Sequence, residues 1–356
     1  MESIQTYLKK AVDSDCSDLF IIAGKAVSVQ KGGELTPLEA RALTPEGASA
    51  LLRELYRLAN RPTERFLMEK DDDFSLAIPG LARFRVNAYR QRGSRAAVIR
   101  IVNFGIPDWR QMNIPQPVMD IAGMTHGLVL VTGPAGSGKS TTLACILDAI
   151  NSTRSAHIIT IEDPIEYLHR NKKGVVSQRE LDVDTDSGLT ALRASLRQSP
   201  QVILMEELRD PDTIQTVLSA AETGRLVIST LYTMGAASAI DRVTGSFPPA
   251  KQPQIRVQLA QTLQAVISQQ LLPAADGGQV PAFEVMHVNG AVRAMIREGR
   301  TEQIDTVLQS LAMDGMTSMD EALLRLWKAG QITKETALCA AMNAEQLQRK
   351  SRLHVT

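Results

Sequence analysis

Gly133-Pro-Ala-Gly-Ser-Gly-Lys-Ser140 decides how the rest of this chain is read. The stretch satisfies the pattern G-x-x-x-x-G-K-[ST] in full. Before it, Gly127-Leu-Val-Leu-Val-Thr132 is an apolar run of strand length; after it, Thr141-Thr-Leu-Ala-Cys-Ile-Leu-Asp-Ala-Ile150 repeats apolar side chains at helical spacing. Strand, glycine turn and helix in that order aim backbone N–H groups and the positive helix end at one point, which suits phosphate oxygens. In such a loop Lys139 reaches the β- and γ-phosphates and the Ser140 hydroxyl holds Mg²⁺. Gly133, Pro134, Ala135, Gly136, Ser137, Gly138 and Thr141 complete the cradle.

The composition narrows the partners. A chain of 356 residues with 44% hydrophobic content has material for more than one core. Lys plus Arg and Asp plus Glu both number 39, so no net charge draws the chain to nucleic acid. Cys16, Cys145 and Cys339 lack metal-ligand spacing and are expected to be free thiols in a reducing compartment. The amino terminus has no signal-peptide pattern, and no run of about 18 apolar residues occurs, so a cytoplasmic protein is expected.

Along the chain, residues 1–102 read as a small α+β domain, with strands at 19–23, 73–80, 83–89 and 96–102 and a helix over 44–60. Pro107, Pro115 and Pro117 mark 103–117 as a linker. From 118 to 289, strands at 128–132, 157–161, 202–206, 226–231 and 265–272 alternate with helical patterns, which predicts an α/β domain with a mostly parallel sheet. Residues 290–356 read as a helical region, with helices over 320–330 and 333–350.

Two further strands end in acids. Glu162 and Asp163 follow Ile158-Ile-Thr-Ile161, and Glu206 and Glu207 follow Val202-Ile-Leu-Met205. Ligands of open α/β sheets bind at the carboxyl ends of the strands. Acids there can hold the Mg²⁺ shell or orient an attacking water. A GTPase would carry Asn-Lys-x-Asp, which is absent.

Thr160-Ile-Glu-Asp-Pro-Ile-Glu166 resembles the Asp box of the GspE/PilT family of secretion ATPases. Ser17-Asp-Leu-Phe, Gly80-Leu-Ala-Arg-Phe-Arg-Val-Asn-Ala88, Gln178-Arg-Glu180, Ala220-Ala-Glu-Thr-Gly224, Val266-Ile-Ser-Gln269 and Gly315-Met-Thr-Ser-Met-Asp320 resemble its pilus-retraction branch, to which an accessory PilU-like branch is similar. The resemblance implies a PAS-like N-terminal domain followed by a RecA-like P-loop ATPase domain. It also implies a homohexamer that binds ATP and Mg²⁺ and docks on an inner-membrane pilus platform protein. Such a ring hydrolyses ATP to retract type IV pili in twitching motility. The alternative it leaves is a nucleotide-binding, weakly hydrolysing accessory ring subunit. By the same resemblance, Glu162 is the base that polarises water and Glu207 is the Walker B acid near Mg²⁺. Arg83, Arg85 and Arg100 reach the γ-phosphate. Period-two alternation puts Arg83, Arg85 and Asn87 on one strand face and Phe84, Val86 and Ala88 on the other. Arg293, in Ala291-Val-Arg-Ala-Met-Ile-Arg297, matches a segment linked to retraction.

The chain departs from this family at the chemistry. The His box, usually Thr-Gly-His-Leu-Val-Phe-Gly-Thr-Leu-His-Thr, reads Thr223-Gly-Arg-Leu-Val-Ile-Ser-Thr-Leu-Tyr-Thr233, so Arg225 and Tyr232 replace both histidines. Arg225 can still contact phosphate, but neither residue titrates as imidazole does. The usual Gly-Glu is Glu206-Glu207, and Gln198-Ser-Pro-Gln201 replaces a more acidic segment. ATP capture near the family norm with slower hydrolysis is therefore expected.

Overall fold

The computed structural model describes residues 2–31, 33–64, 70–102, 105–310 and 315–353. They form two compact units, residues 1–105 with 166–168, and residues 106–165 with 169–356.

The first unit is built on α1 (Ile4–Asp13), β1 (Asp18–Ile21), β2 (Ser28–Lys31), β3 (Glu34–Pro37), α2 (Pro45–Leu58), β4 (Asp72–Ile78), β5 (Ala82–Gln91) and β6 (Ser94–Val102). The strands form an antiparallel sheet in the order β3-β2-β1-β6-β5-β4. Thr44 starts α2 by accepting the Gly47 N–H, and Pro45 occupies the first turn, where its missing donor costs nothing. Leu51, Leu52, Leu55 and Tyr56 of α2 share a core with Tyr7 and Leu8 of α1 and with alternate residues of the sheet. On β5, Phe84, Val86 and Ala88 are buried while Arg85 and Asn87 are exposed, the alternation expected of a half-buried strand.

The second unit contains α3 (Gln116–Met119), β7 (Gly127–Thr132), α4 (Lys139–Thr153), β8 (His157–Glu162), β9 (Val175–Glu180), α5 (Gly188–Ser195), β10 (Val202–Glu207), α6 (Pro211–Glu222), β11 (Leu226–Leu231), α7 (Ala236–Gly245), α8 (Gln252–Thr262), β12 (Leu263–Pro273), β13 (Gln279–His287), α9 (Gly290–Glu298), α10 (Ile304–Ser310), α11 (Met319–Lys328), α12 (Lys334–Ala340) and α13 (Ala344–Leu353). Its sheet runs β13-β12-β7-β11-β10-β8-β9, parallel throughout except for the antiparallel edge strand β13. Both faces are covered, which explains the unbroken apolar runs. Leu128 and Leu130 of β7 enter one core cluster, and Val129 and Val131 enter the other.

Three differences from the sequence-based expectation have physical causes. From Ile106 onward, the stretch expected as a linker belongs to the second unit: Ile114 and Val118 are in its core, with Ile106 and Trp109 packed against it. Residues 103 and 104 of that expectation lie outside the described residues. The helix expected over 333–350 is broken. The Asp320 carboxylate accepts the N–H groups of Met342 (2.7 Å) and Asn343 (3.0 Å), and Asn343 then caps α13 through the Gln346 N–H. Strands β2, β3, β9 and β13 have no counterpart in the sequence-based expectation, and three of them lie at a sheet edge. β9 forms the far edge of the parallel sheet, where the Asn171 side chain accepts the Val176 N–H at 2.9 Å.

The expected helical region belongs to the second unit. Met319, Leu323 and Leu324 of α11 share a cluster with Leu272 of β12 and Val280 and Ala282 of β13. Among the described residues, no helix is long and apolar enough to cross a membrane.

Candidate nucleotide site

The glycine loop joins β7 to α4 at the carboxyl end of the parallel strands. Gly138 ends it in the left-handed region (φ 87°) as the N-cap of α4. A Cβ on Gly133 would overlap the Gln269 carbonyl oxygen, and one on Gly138 would lie 2.9 Å from Gln269 Nε2. Glycine at both positions is therefore enforced by sterics as well as backbone conformation.

Lys139 is buried and its Nζ donates to the carbonyls of Gly133 (2.8 Å) and Pro134 (2.9 Å), folding the side chain over the loop. The same ammonium lies 4.4 Å from the centroid of the Tyr232 ring, at the carboxyl end of β11. Inside the loop, Ser137 Oγ is buried without a hydrogen-bond partner. A buried hydroxyl without a partner is costly, and a phosphate oxygen would satisfy it. This orphan donor and the glycine cradle fit a nucleotide phosphate chain. Ser140, in the first turn of α4, carries the hydroxyl that would hold Mg²⁺.

The acids at the ends of β8 and β10 are each held by hydrogen bonds. Thr160 Oγ1 and Gln178 Nε2 (3.0 Å) both donate to Glu162 Oε1, which fixes that carboxylate's orientation. Glu206 accepts the backbone N–H of Asp163, tying the end of β8 to the end of β10. The extra acid of the Glu-Glu pair thus serves as a backbone acceptor. Glu207 accepts from Arg209 Nε at 2.6 Å, and Arg209 Nη1 also donates to Asp163 at 3.3 Å. The hydrogen bond to Glu207 raises the pKa of Arg209 further. The register shift between Met205 and Glu207 against β11 falls where the strand turns toward this cluster. Asp163, Glu207 and Arg209 line a cavity of about 280 Å³. That is room for several waters. Among the described residues, no group of three or more His, Cys, Asp or Glu could hold a metal. Ser140 and Glu207 are the residues that would hold Mg²⁺, which would supply charge neutralisation at the phosphates.

The remaining predicted residues lie elsewhere. Arg225 is not brought to the loop. It precedes β11, its carbonyl accepts the Gly127 N–H, and its guanidinium donates to Thr223 Oγ1 and to the Leu196 carbonyl (3.2 Å) at the C-terminus of α5. The six residues of β11 separate it from the loop end, roughly 20 Å at strand rise. An arginine at a helix C-terminus is stabilising there through the helix dipole, which accounts for its position without a phosphate.

Arg83, Arg85 and Arg100 belong to the first unit. Arg85 pairs directly with Arg100 across β5 and β6, and Arg100 Nε donates to Asp18 at 3.1 Å. Directly opposed like charges are unfavourable, and the Asp18 carboxylate offsets this pair. Arg293 donates to the carbonyls of Ala260 (2.6 Å) and Gln261 (3.1 Å), closing the C-terminus of α8.

Gln178 and Arg209 carried no assigned role in the sequence. The available signal was a polar side chain where a strand or its exit meets the acids.

Strand, phosphate loop and the acids two and three strands away define a P-loop ATPase on a RecA-like fold. Residues 1–349 match the Type II/IV secretion system protein family, and the chain belongs to that family. It is 46% identical over 276 residues to a twitching motility protein of Neisseria gonorrhoeae, covering 77% of this chain and 74% of the relative. To the type IV pilus retractation ATPase PilT of Pseudomonas aeruginosa it is 41% identical over 322 residues, 90% of this chain and 93% of the relative. The type IV pilus ATPase PilU of the same species is 34% identical over 342 residues, 96% and 89%. The crystal structure of the pilus retraction motor PilT with bound ADP superposes with a TM-score of 0.90 at 40% identity, covering 98% of this chain and all of the other.

Proposed function

We propose that this chain is the subunit of a homohexameric ATPase that retracts type IV pilus fibres. One observation carries the reading: an intact phosphate loop with an orphan Ser137 hydroxyl, beside a Glu162 held by two donors, in a chain similar over nearly its whole length to a pilus retraction motor. Lys139, the loop amides and Ser137 bind the phosphates. Glu162 orients the water and takes its proton. Ser140 and Glu207 would hold Mg²⁺, which would supply neutralisation of the phosphate charge. Arg209 neutralises Glu207 and Asp163 between turnovers. Arg83, Arg85 and Arg100 of the PAS-like first unit supply cationic charge to a γ-phosphate. The assembly works in the cytoplasm, reaching the membrane through a platform protein.

The decisive experiment complements a deletion strain with Lys139→Ala and Glu162→Gln forms and follows retraction of single pili. Abundant pili that do not retract in either strain support the motor. The replaced His box favours a second reading, an accessory ring subunit that binds nucleotide and turns it over slowly. Retraction that survives Glu162→Gln but requires the protein selects that reading.

A further inference from the structure

Strand β12 carries three consecutive buried polar side chains, Ser268, Gln269 and Gln270, in a strand whose other buried positions are apolar. Buried polar groups cost free energy unless each is satisfied, so a purely structural strand would favour Val, Ile or Leu here. Each of the three reaches a different element. Ser268 Oγ accepts the Gly235 N–H at 2.9 Å ahead of α7, and Gln270 Nε2 donates to the Ala340 carbonyl at 3.2 Å, at the end of α12. Gln269 alone faces the phosphate loop. Its Oε1 accepts from Thr142 Oγ1 (2.8 Å) in the first turn of α4, its Nε2 packs on Gly138, and its own carbonyl packs on Gly133. Register explains the last contact, because Ser268 pairs with Thr132 and Gln269 thus runs beside the first loop residue.

We infer that Gln269 is a positioning residue for ATP capture and turnover. One side chain and its carbonyl touch the first glycine of the loop, the last glycine, and the helix turn that follows. The spacing of these three points sets where the loop amides converge. Glutamine suits this position because it is long enough to span the gap, accepts from Thr142, and adds no charge beside the phosphates. Leucine would fill the space and release Thr142. Glutamate would keep the acceptor and repel the nucleotide. The inference rests on the ATP reading of the loop and adds to it a residue on a strand more than a hundred positions away.

The test uses the full-length chain carrying Gln269→Leu, Thr142→Val, or both, with Lys139→Ala as the non-binding control. Hydrogen exchange of amides 133–142 is measured without nucleotide, followed by ATP affinity and steady-state turnover. Gln269→Leu is expected to speed loop exchange and to lower kcat/KM roughly 10- to 100-fold, the scale of a misplaced catalytic geometry. Thr142→Val, which removes one hydroxyl and keeps the shape, should lower it about 3- to 10-fold, the scale of one hydrogen bond. The double variant should be no worse than Gln269→Leu, because both act through one contact. Loop exchange unchanged in Gln269→Leu, or losses that add in the double variant, would overturn the inference. If Gln269→Leu fails to fold, Thr142→Val carries the same comparison. If the unmodified chain binds no ATP, the ATP reading fails, while loop exchange still decides whether Gln269 holds the loop.

Discussion

Arg225 and Tyr232 both lie in the stretch that resembles a His box, yet β11 sends them to opposite ends of the sheet. Arg225 closes the C-terminus of α5; Tyr232 faces the ammonium of Lys139. The two exchanges should therefore differ in effect. Arg225→His is expected to leave ATP affinity of the isolated chain within about twofold, since no phosphate contact is lost. Tyr232→Leu removes a cation–π contact of about 0.5–1 kcal/mol. It should weaken ATP binding about 2- to 5-fold, while Tyr232→Phe keeps the ring and the affinity. Calorimetric titration distinguishes them; equal losses for Arg225→His and Tyr232→Leu would contradict this division.

At the scale of elements, Glu284 of β13 does what a loop motif cannot advertise. One carboxylate oxygen accepts the Ala236 N–H (2.8 Å) at the start of α7, the other the Met319 N–H (3.1 Å) at the start of α11. Two helix N-termini thus share one buried acceptor pair. Glu284→Gln replaces one acceptor with a donor and leaves an N–H facing it. It is expected to cost about 1–3 kcal/mol in chemical denaturation, and a neutral substitution would show that the clamp contributes nothing. Such clamps also mark the limit of what the sequence discloses. β7 and β11 were legible because unbroken apolar runs between turn residues have few other readings. β9 was not: Val175-Val-Ser-Gln-Arg-Glu180 is polar because it lies at an edge. β13 contains Pro281, a residue that an edge position tolerates and a sequence pattern penalises. The break after α12 has no Gly or Pro to signal it, because its cause is Asp320, more than twenty residues earlier. Likewise the phosphate loop and Glu162 were legible from local motifs, whereas Gln269 acquires its role only when β12 is laid beside β7.

For the molecule as a whole, acid stability has a named source. Burial pushes the His169 imidazole down to about 4, with Asp148 opposing the shift. Between pH 6.5 and 4 the unfolded chain binds a proton that the native chain refuses, so stability falls as pH falls through that window. The loss amounts to about 2–3 kcal/mol. Glu284 acts in the other sense. Burial raises its pKa, so its contribution is greatest in acid and declines as pH rises above the ordinary carboxylate range. Denaturation curves of the unmodified chain and His169→Leu, compared between about pH 4 and 7, isolate the histidine. A difference between the two that does not change with pH would refute the assignment.

The outer edge of β9 bears on handling the protein in solution. An edge strand with Val175 exposed beside it invites another chain to add a strand, and Asp184 covers its Glu180 end by accepting that N–H at 2.9 Å. The Asn171 side chain occupies the Val176 amide and so blocks one rung of that ladder. Asn171→Ala should leave turnover intact and increase the light scattered by concentrated samples over days, because slow self-association through this rim starts from the folded state.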